Sequence, residues 1–206
     1  MNDWKVDIIT MSFGFPTRSI DGYKNLERAL ENAYSKHVLL FAAASNGGAN
    51  MDRAYPARDQ NVICVHSTDA SGNRSRFSPT AILHEINFAT IGEAVESSWP
   101  IHLCEESPNS PAIRYKSGTS YATPIVASMA AFLLQYARLH LTEHYVELLK
   151  RHSGMKAVLR VISRRSGRSK GRDDYDYLAL SLHPDNLFGK KENAIKDTIT
   201  DALDHS

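Results

Sequence analysis

Ser117-Gly118-Thr119-Ser120-Tyr121-Ala122-Thr123-Pro124 runs directly into an apolar, alanine-rich segment that ends at Leu134. A serine held between a glycine and such a segment sits where a loop turns into a buried helix. Its hydroxyl faces outward while the helix packs behind it. Thr119 suits the N-cap, and the N–H groups of the first helical turn have no partner within the helix, so they can bind developing negative charge. Pro124 lacks an N–H, so the carbonyl of Ser120, four residues back, loses its helical bond and a kink is expected there. Ile125, Val126, Ala127, Met129, Ala130, Ala131, Phe132 and Leu133 leave almost no polar face, which predicts a helix buried on all sides. The run is shorter than the roughly 20 apolar residues of a membrane span. Ser120 is the candidate nucleophile.

The chain leading up to this stretch reads as a parallel α/β unit. Val6 to Met11 is a short run rich in β-branched residues that ends in the turn-forming Ser12-Phe13-Gly14-Phe15-Pro16. Leu26, Ala29, Leu30 and Ala33 recur at helical spacing between Tyr23 and Lys36. Val38 to Ala44 is a second strand, ending in Ser45-Asn46-Gly47-Gly48. Strand, helix, strand is the βαβ pattern, and parallel sheets place ligands outside the carboxyl ends of their strands, so Ser12 and Asn46 are expected on one side. Asn61 to His66 reads as a third strand. The polar, proline-rich stretch 93–116 reads as a surface loop or hairpin. Helices are expected at 141–151 and 155–162, and a basic Gly/Ser-rich link, read as a solvated loop, at 164–172.

Composition narrows the function classes. With 206 residues and 42% hydrophobic content the chain suits one domain with a real core. The 24 basic and 23 acidic residues nearly cancel, so neither nucleic acid nor a membrane surface is an expected partner. Cys64 and Cys104 are too few for a disulfide framework and read as free thiols in a reducing compartment. No basic stretch leading into an apolar signal core follows Met1, and a cytoplasmic location is expected. The cysteines and histidines lack metal-ligand spacing, so neither metal nor cofactor is expected.

The motif around Ser120 resembles the nucleophile motif of the subtilisin-like serine peptidases, where Gly-Thr-Ser is usually followed by Met-Ala and, one residue on, Pro. Tyr121 replaces the methionine. Ser12-Phe13-Gly14-Phe15 resembles the family's stretch whose backbone pairs with the substrate. Ala43-Ala44-Ser45-Asn46 resembles the Ala-Ala-Gly-Asn whose asparagine completes the oxyanion hole, and Tyr55-Pro56-Ala57 the Tyr-Pro-Ala that follows. The resemblance covers about Val6 to Arg138, in which Arg76-Phe77-Ser78 and Ile86 to Gly92 resemble the family's next two strand-like elements. It implies a three-layer parallel-sheet fold, a polypeptide substrate, Ser120 and Asn46 as catalytic residues, and a substrate site at Ser12, Phe13, Gly14, Ala43, Ala44, Ser45 and Ala54. Ser45, Ala54 and Phe15 stand where the family usually has glycine, and the added side chains are expected to narrow the pocket beside the scissile bond. A preference for large aromatic residues there would refute that expectation.

The resemblance also implies what else the reaction needs. A serine nucleophile requires a base and a carboxylate to orient that base. The family's aspartate sits in an Asp-Thr/Ser-Gly turn and its histidine in His-Gly-Thr-His, in that order before the serine. Neither string precedes Ser120. His37, His66, His84 and His102 each read as structural or solvated. The expectation is therefore an N-terminally truncated fold, inactive alone, with 1–140 as a partial peptidase domain and 141–206 as a helical extension. The missing segment or other modules of a larger protein would be its partners. The alternative is a pseudopeptidase that binds peptides through the retained cleft.

Overall fold

The structure, a computed structural model, describes residues 5–17, 21–103, 112–165 and 174–206. In chain order the elements are β1 (Ile8–Met11), α1 (Tyr23–Ser35), β2 (Leu39–Ala43), β3 (Ile63–Thr68), β4 (Phe88–Ile91), β5 (Val95–Ser98), β6 (Ile113–Lys116), α2 (Thr119–His140), α3 (Glu143–Lys150), α4 (His152–Arg165), β7 (Asp176–Tyr177) and α5 (Glu192–Asp204). Two single-turn 3-10 helices, at Ile101–Leu103 and Leu187–Gly189, complete the described set.

Five strands form one parallel sheet in the order β1-β2-β3-β4-β7. The central strands β2 and β3 are buried along their whole length, as a parallel sheet covered on both faces requires. Successive side chains point to opposite faces. Leu39, Phe41, Ile63 and Val65 join a cluster with Val126, Ala130, Leu133 and Leu134 of α2, while Leu40, Ala42 and Cys64 join Leu30 and Ala33 of α1. Helices therefore cover both faces, and the expected three-layer α/β architecture is present.

The larger cluster continues into the last third of the chain. Leu149 of α3, Met155, Val158 and Leu159 of α4, Leu178 after β7, and Ile195, Ile199 and Leu203 of α5 share one core with α2. The described residues of 141–206 thus add α3, α4, α5 and the sheet strand β7 to the layers formed by the described residues before them. The helix read at 155–162 begins earlier, at His152, and the tail, unassigned from sequence, contains β7 and α5. Arg76-Phe77-Ser78, read as strand-like, is a turn, because Ser75 and Ser78 are buried and serve the neighbouring strand: Ser75 N–H donates to the Ser67 carbonyl at 3.0 Å and the Ser78 hydroxyl accepts from Ser67 N–H at 3.3 Å. The stretch before the nucleophile is a hairpin of β5 and β6. Cys104, Pro108, Pro111 and most of the basic link lie outside the described residues.

β1 is the sheet's edge, paired only with β2 among the described residues. Ile8 and Ile9 are half-buried and Thr10 is exposed. Among the described residues no helix is long and apolar enough to cross a membrane.

Candidate active site

The carboxyl ends of β1 and β2 and the amino end of α2 meet at Ser120. α2 starts one residue earlier than a Thr119 cap would give. Gly118 is its N-cap, and Thr119, the first helical residue, clamps the neighbouring loop instead. Thr119 N–H donates to Asn46 Oδ1 at 2.9 Å, and its hydroxyl donates to Asn46 Oδ1 at 3.0 Å and to the Ser45 carbonyl at 3.2 Å. Because Oδ1 accepts from a backbone N–H, the orientation of the Asn46 carboxamide is settled, and Nδ2 points the other way. A Cβ at residue 118 would lie 3.1 Å from Nδ2, so Gly118 keeps the space before that donor open. Ser120 N–H has no hydrogen-bond partner among the described residues. Asn46 Nδ2 and the Ser120 N–H are thus two donors without a hydrogen-bond partner among the described residues, the kind of group that can stabilise a developing oxyanion.

Pro124 explains a second contact. It leaves the Ser120 carbonyl without a helical partner, and the Ser12 hydroxyl donates to that carbonyl at 2.8 Å. In return the Ser120 hydroxyl donates to the Ser12 carbonyl at 3.1 Å. The pair ties the end of β1 to the first turn of α2. Upstream, Gly118 N–H donates to the Gly92 carbonyl at 2.8 Å and the Ser117 hydroxyl accepts from Ala94 N–H at 2.9 Å, so the β5–β6 hairpin fixes the turn before the serine.

Ser12, Phe13 and Gly14 are exposed, and Phe13 and Gly14 have no backbone hydrogen-bond partner among the described residues. Immediately beyond, Phe15 and Tyr55 exchange two backbone bonds, Phe15 N–H to Tyr55 O at 2.7 Å and Tyr55 N–H to Phe15 O at 2.9 Å. The segment is therefore held at both ends while its middle can pair with an extended peptide.

Ala43 and Ala44 are buried. Ala44 uses its N–H on the Val65 carbonyl (2.9 Å) and its carbonyl on Ala54 N–H (2.6 Å), so these residues position Ser45 and Asn46 and have little to offer a peptide directly. Ser45 takes φ 154°, a conformation that favours glycine, and its hydroxyl accepts from Gly47 N–H at 3.1 Å. The Ala54 methyl closes on Gly14, where an added Cβ would lie 2.6 Å away. Gly14, Ser45 and Ala54 line a recess of about 250 Å³ beside the nucleophile loop. Phe15 is not among its lining residues; its ring meets that of Phe13 edge-on at 6.0 Å.

No histidine bonds Ser120 among the described residues. His66 is wholly buried, with Nδ1 3.2 Å from Ser78 Oγ and Nε2 3.7 Å from Cys64 Sγ. Burial, aided by the charge of Arg53, lowers its pKa to about 3, so it stays neutral. Cys64 is pushed up to about 12, again chiefly by burial. Both are core groups. His84 lies in a surface loop, His102 is exposed in the 3-10 turn Ile101–Leu103, and His37 ends a turn after α1 with φ 57°. Among the described residues no three His, Cys, Asp or Glu side chains cluster as a metal site would need. Two roles escaped the sequence, the Thr119 clamp on Asn46 and the Ser12 hydroxyl on the Ser120 carbonyl. The proline four residues after Ser120 was the available signal for the second.

Comparison with known proteins bears on the family and the fold. The chain is 33% identical over 132 residues to Subtilisin DY of Bacillus licheniformis, which covers 63% of this chain and 43% of that protein. It is also 33% identical over 134 residues to the subtilisin-like protease het-Q2 of Podospora anserina, covering 64% of this chain and 35% of the relative. The chain thus spans less than half the length of these relatives. In fold it is similar to the prenylagaramide maturation protease PagA, with a TM-score of 0.62 and 21% identity over 98% of this chain and 64% of that one. The model of the subtilase family, Peptidase S8, matches residues 2–189, and with it the chain belongs to the subtilase family.

Proposed function

We propose that this chain carries the nucleophile and oxyanion half of a serine endopeptidase, whose base and orienting carboxylate come from residues outside it. The observation that carries this reading is the Asn46 carboxamide, pinned through Oδ1 by Thr119, the neighbour of Ser120, with Nδ2 and the Ser120 N–H left without partners among the described residues. In the reaction Ser120 Oγ leaves its bond to the Ser12 carbonyl and attacks the scissile carbonyl as the base takes its proton. The tetrahedral oxyanion is held by Asn46 Nδ2 and Ser120 N–H. The base then delivers the proton to the leaving amine, and water hydrolyses the acyl-enzyme. An extended polypeptide pairs with the backbone of Ser12, Phe13 and Gly14. The removal of one such oxyanion donor costs about 2.7–4 kcal/mol in subtilisin, the general example of this effect, and Asn46→Ala is expected on that scale in the complete enzyme.

The base belongs across the open edge of β1. That edge lies beside Ser12, whose carbonyl already receives the Ser120 hydroxyl, so a strand added there would end next to the nucleophile. A second reading, a pseudopeptidase that only binds peptides, is favoured by the Ser120 hydroxyl resting on a backbone carbonyl, with no base beside it among the described residues. Labelling by a fluorophosphonate separates the two. The 206-residue chain is expected to stay unlabelled. A longer polypeptide extended upstream is expected to be labelled, and Ser120→Ala to abolish this. Labelling of the short chain at Ser120 would refute an external base, and no labelling of a folded, extended chain would favour the pseudopeptidase.

A further inference from the structure

We propose that Asp52 makes the recess beside Ser120 a pocket for a cationic side chain, so that the peptide bond presented to Ser120 follows a lysine or arginine. The inference rests on the peptidase reading above and names its substrate class.

The recess joins the two parts of the site. Gly14 comes from the segment that would pair with the peptide backbone and Ser45 directly precedes the oxyanion asparagine, so a side chain entering here belongs to the residue whose carbonyl faces Ser120. Its volume of about 250 Å³ is below that of a typical small-molecule site and suits a single side chain. The Ala54 methyl against Gly14 narrows it. A narrow recess handicaps a flat aromatic ring and admits an unbranched methylene stem.

Charge then discriminates among such stems. Among the described residues Asp52 is the one ionisable residue that lines the recess; the other lining groups include Asn50, Met51 and Pro16. The Asp52 carboxylate is exposed and has neither an ion pair nor a hydrogen bond among the described residues. Two cations of the adjoining segments, Arg53 and Arg58, bond to groups other than Asp52 among the described residues. Arg53 turns to Glu85 at 2.9 Å and to Asn87 Oδ1, and Arg58 donates to the Pro16 carbonyl at 2.6 Å. An unneutralised carboxylate at a partly enclosed pocket attracts an ammonium or guanidinium head and repels a glutamate.

Product-like peptides test this without catalysis. Their terminal carboxylate can take the place of the oxyanion, and their last side chain enters the recess. N-acetylated tetrapeptides that differ only in the last residue (Arg, Lys, norleucine, Phe or Glu) would be titrated into the folded 206-residue chain and followed by calorimetry. Arg and Lys peptides should bind about tenfold more tightly than the norleucine peptide at low salt, with the gap shrinking as salt rises. Asp52→Asn should remove the gap, and Asp52→Lys should favour the Glu peptide. Peptides that bind, and weaken with Asn46→Ala, but show no cationic preference or keep it in Asp52→Asn would overturn the role of Asp52 and leave the peptidase reading in place. If no peptide binds to a chain shown to be folded by circular dichroism, both fall.

Discussion

Ser12→Ala probes the contact that Pro124 creates. The variant removes the hydroxyl that donates to the Ser120 carbonyl at 2.8 Å and leaves the Ser12 backbone carbonyl, which receives the Ser120 hydroxyl, intact. A typical intramolecular hydrogen bond contributes about 0.5–1.5 kcal/mol net, and this pair is exposed, so water recovers part of the loss and about 0.5–1 kcal/mol is expected. The decisive step is to repeat the change in Pro124→Ala. Pro124 is exposed and α2 continues through it, so alanine fits there, and its N–H restores the helical bond to the Ser120 carbonyl. In that background the Ser12 hydroxyl is redundant and its removal should cost about 0.3 kcal/mol or less. The effects of Pro124→Ala on helix propensity and on the unfolded chain cancel in the cycle. Urea unfolding followed by far-ultraviolet circular dichroism gives all four stabilities, and a coupling of about 0.5 kcal/mol is just resolvable with replicates. Additive effects, with a coupling near zero, would refute the account of Ser12 as partner to a carbonyl orphaned by proline.

Stability should fall on acidification through His66. Its folded pKa is lowered from 6.5 to about 3, so its contribution is fully present above pH 6.5 and is lost as pH falls towards 3. The slope from one proton is at most about 1.4 kcal/mol per pH unit. His66→Gln should flatten the pH dependence of the urea midpoint over that window. Some slope remains from His152, lowered to about 4 mainly by burial, and an unchanged profile would refute the assignment to His66. A chain ending at His140 should lose its cooperative urea transition, because Leu149, Leu159, Ile195 and Leu203 leave the cluster that buries α2. A sharp transition in that truncated chain would show that 1–140 folds by itself.

The nucleophile region was legible because its chemistry imposes residue types at close spacing. Gly118 must leave room before Asn46, and Ser120 must lie in the first turn of the helix, but α2 is not buried on all sides as its apolar run predicts: Pro124, Ser128, Ala131, Phe132 and Gln135 form an exposed stripe opposite the buried Val126, Ala130 and Leu133. The βαβ frame was legible for a similar reason, since β2 and β3, buried on both faces, tolerate only continuous apolar runs. Partner choice was less visible. Thr119 has the side chain of a cap, yet its hydroxyl meets Asn46 because the β2 loop lies within reach, a tertiary fact that propensity does not encode. β7 is two residues long and exists through its pairing with β4 across some ninety positions, so no local period announces it. α5 did carry a signal in Ile195, Ile199 and Leu203, four residues apart, but without a motif beside it. Phe15 shows the limit of reading a substitution in isolation, since its ring turns to Phe13 and away from the recess.

The core shared by α2 and the last third of the chain sets an order of events during synthesis. Ile195, Ile199 and Leu203 emerge from the ribosome more than fifty residues after α2 is complete, and β7 reaches β4 only after α2, α3 and α4, which lie between them in the chain, exist. Until then the core that α2 shares with β2, β3, α3 and α4 lacks its last layer, and closing so long a loop is slow. Nascent chains stalled before α5 should therefore be prime clients for chaperones, and a competent Ser120 turn is among the last features the growing polypeptide acquires.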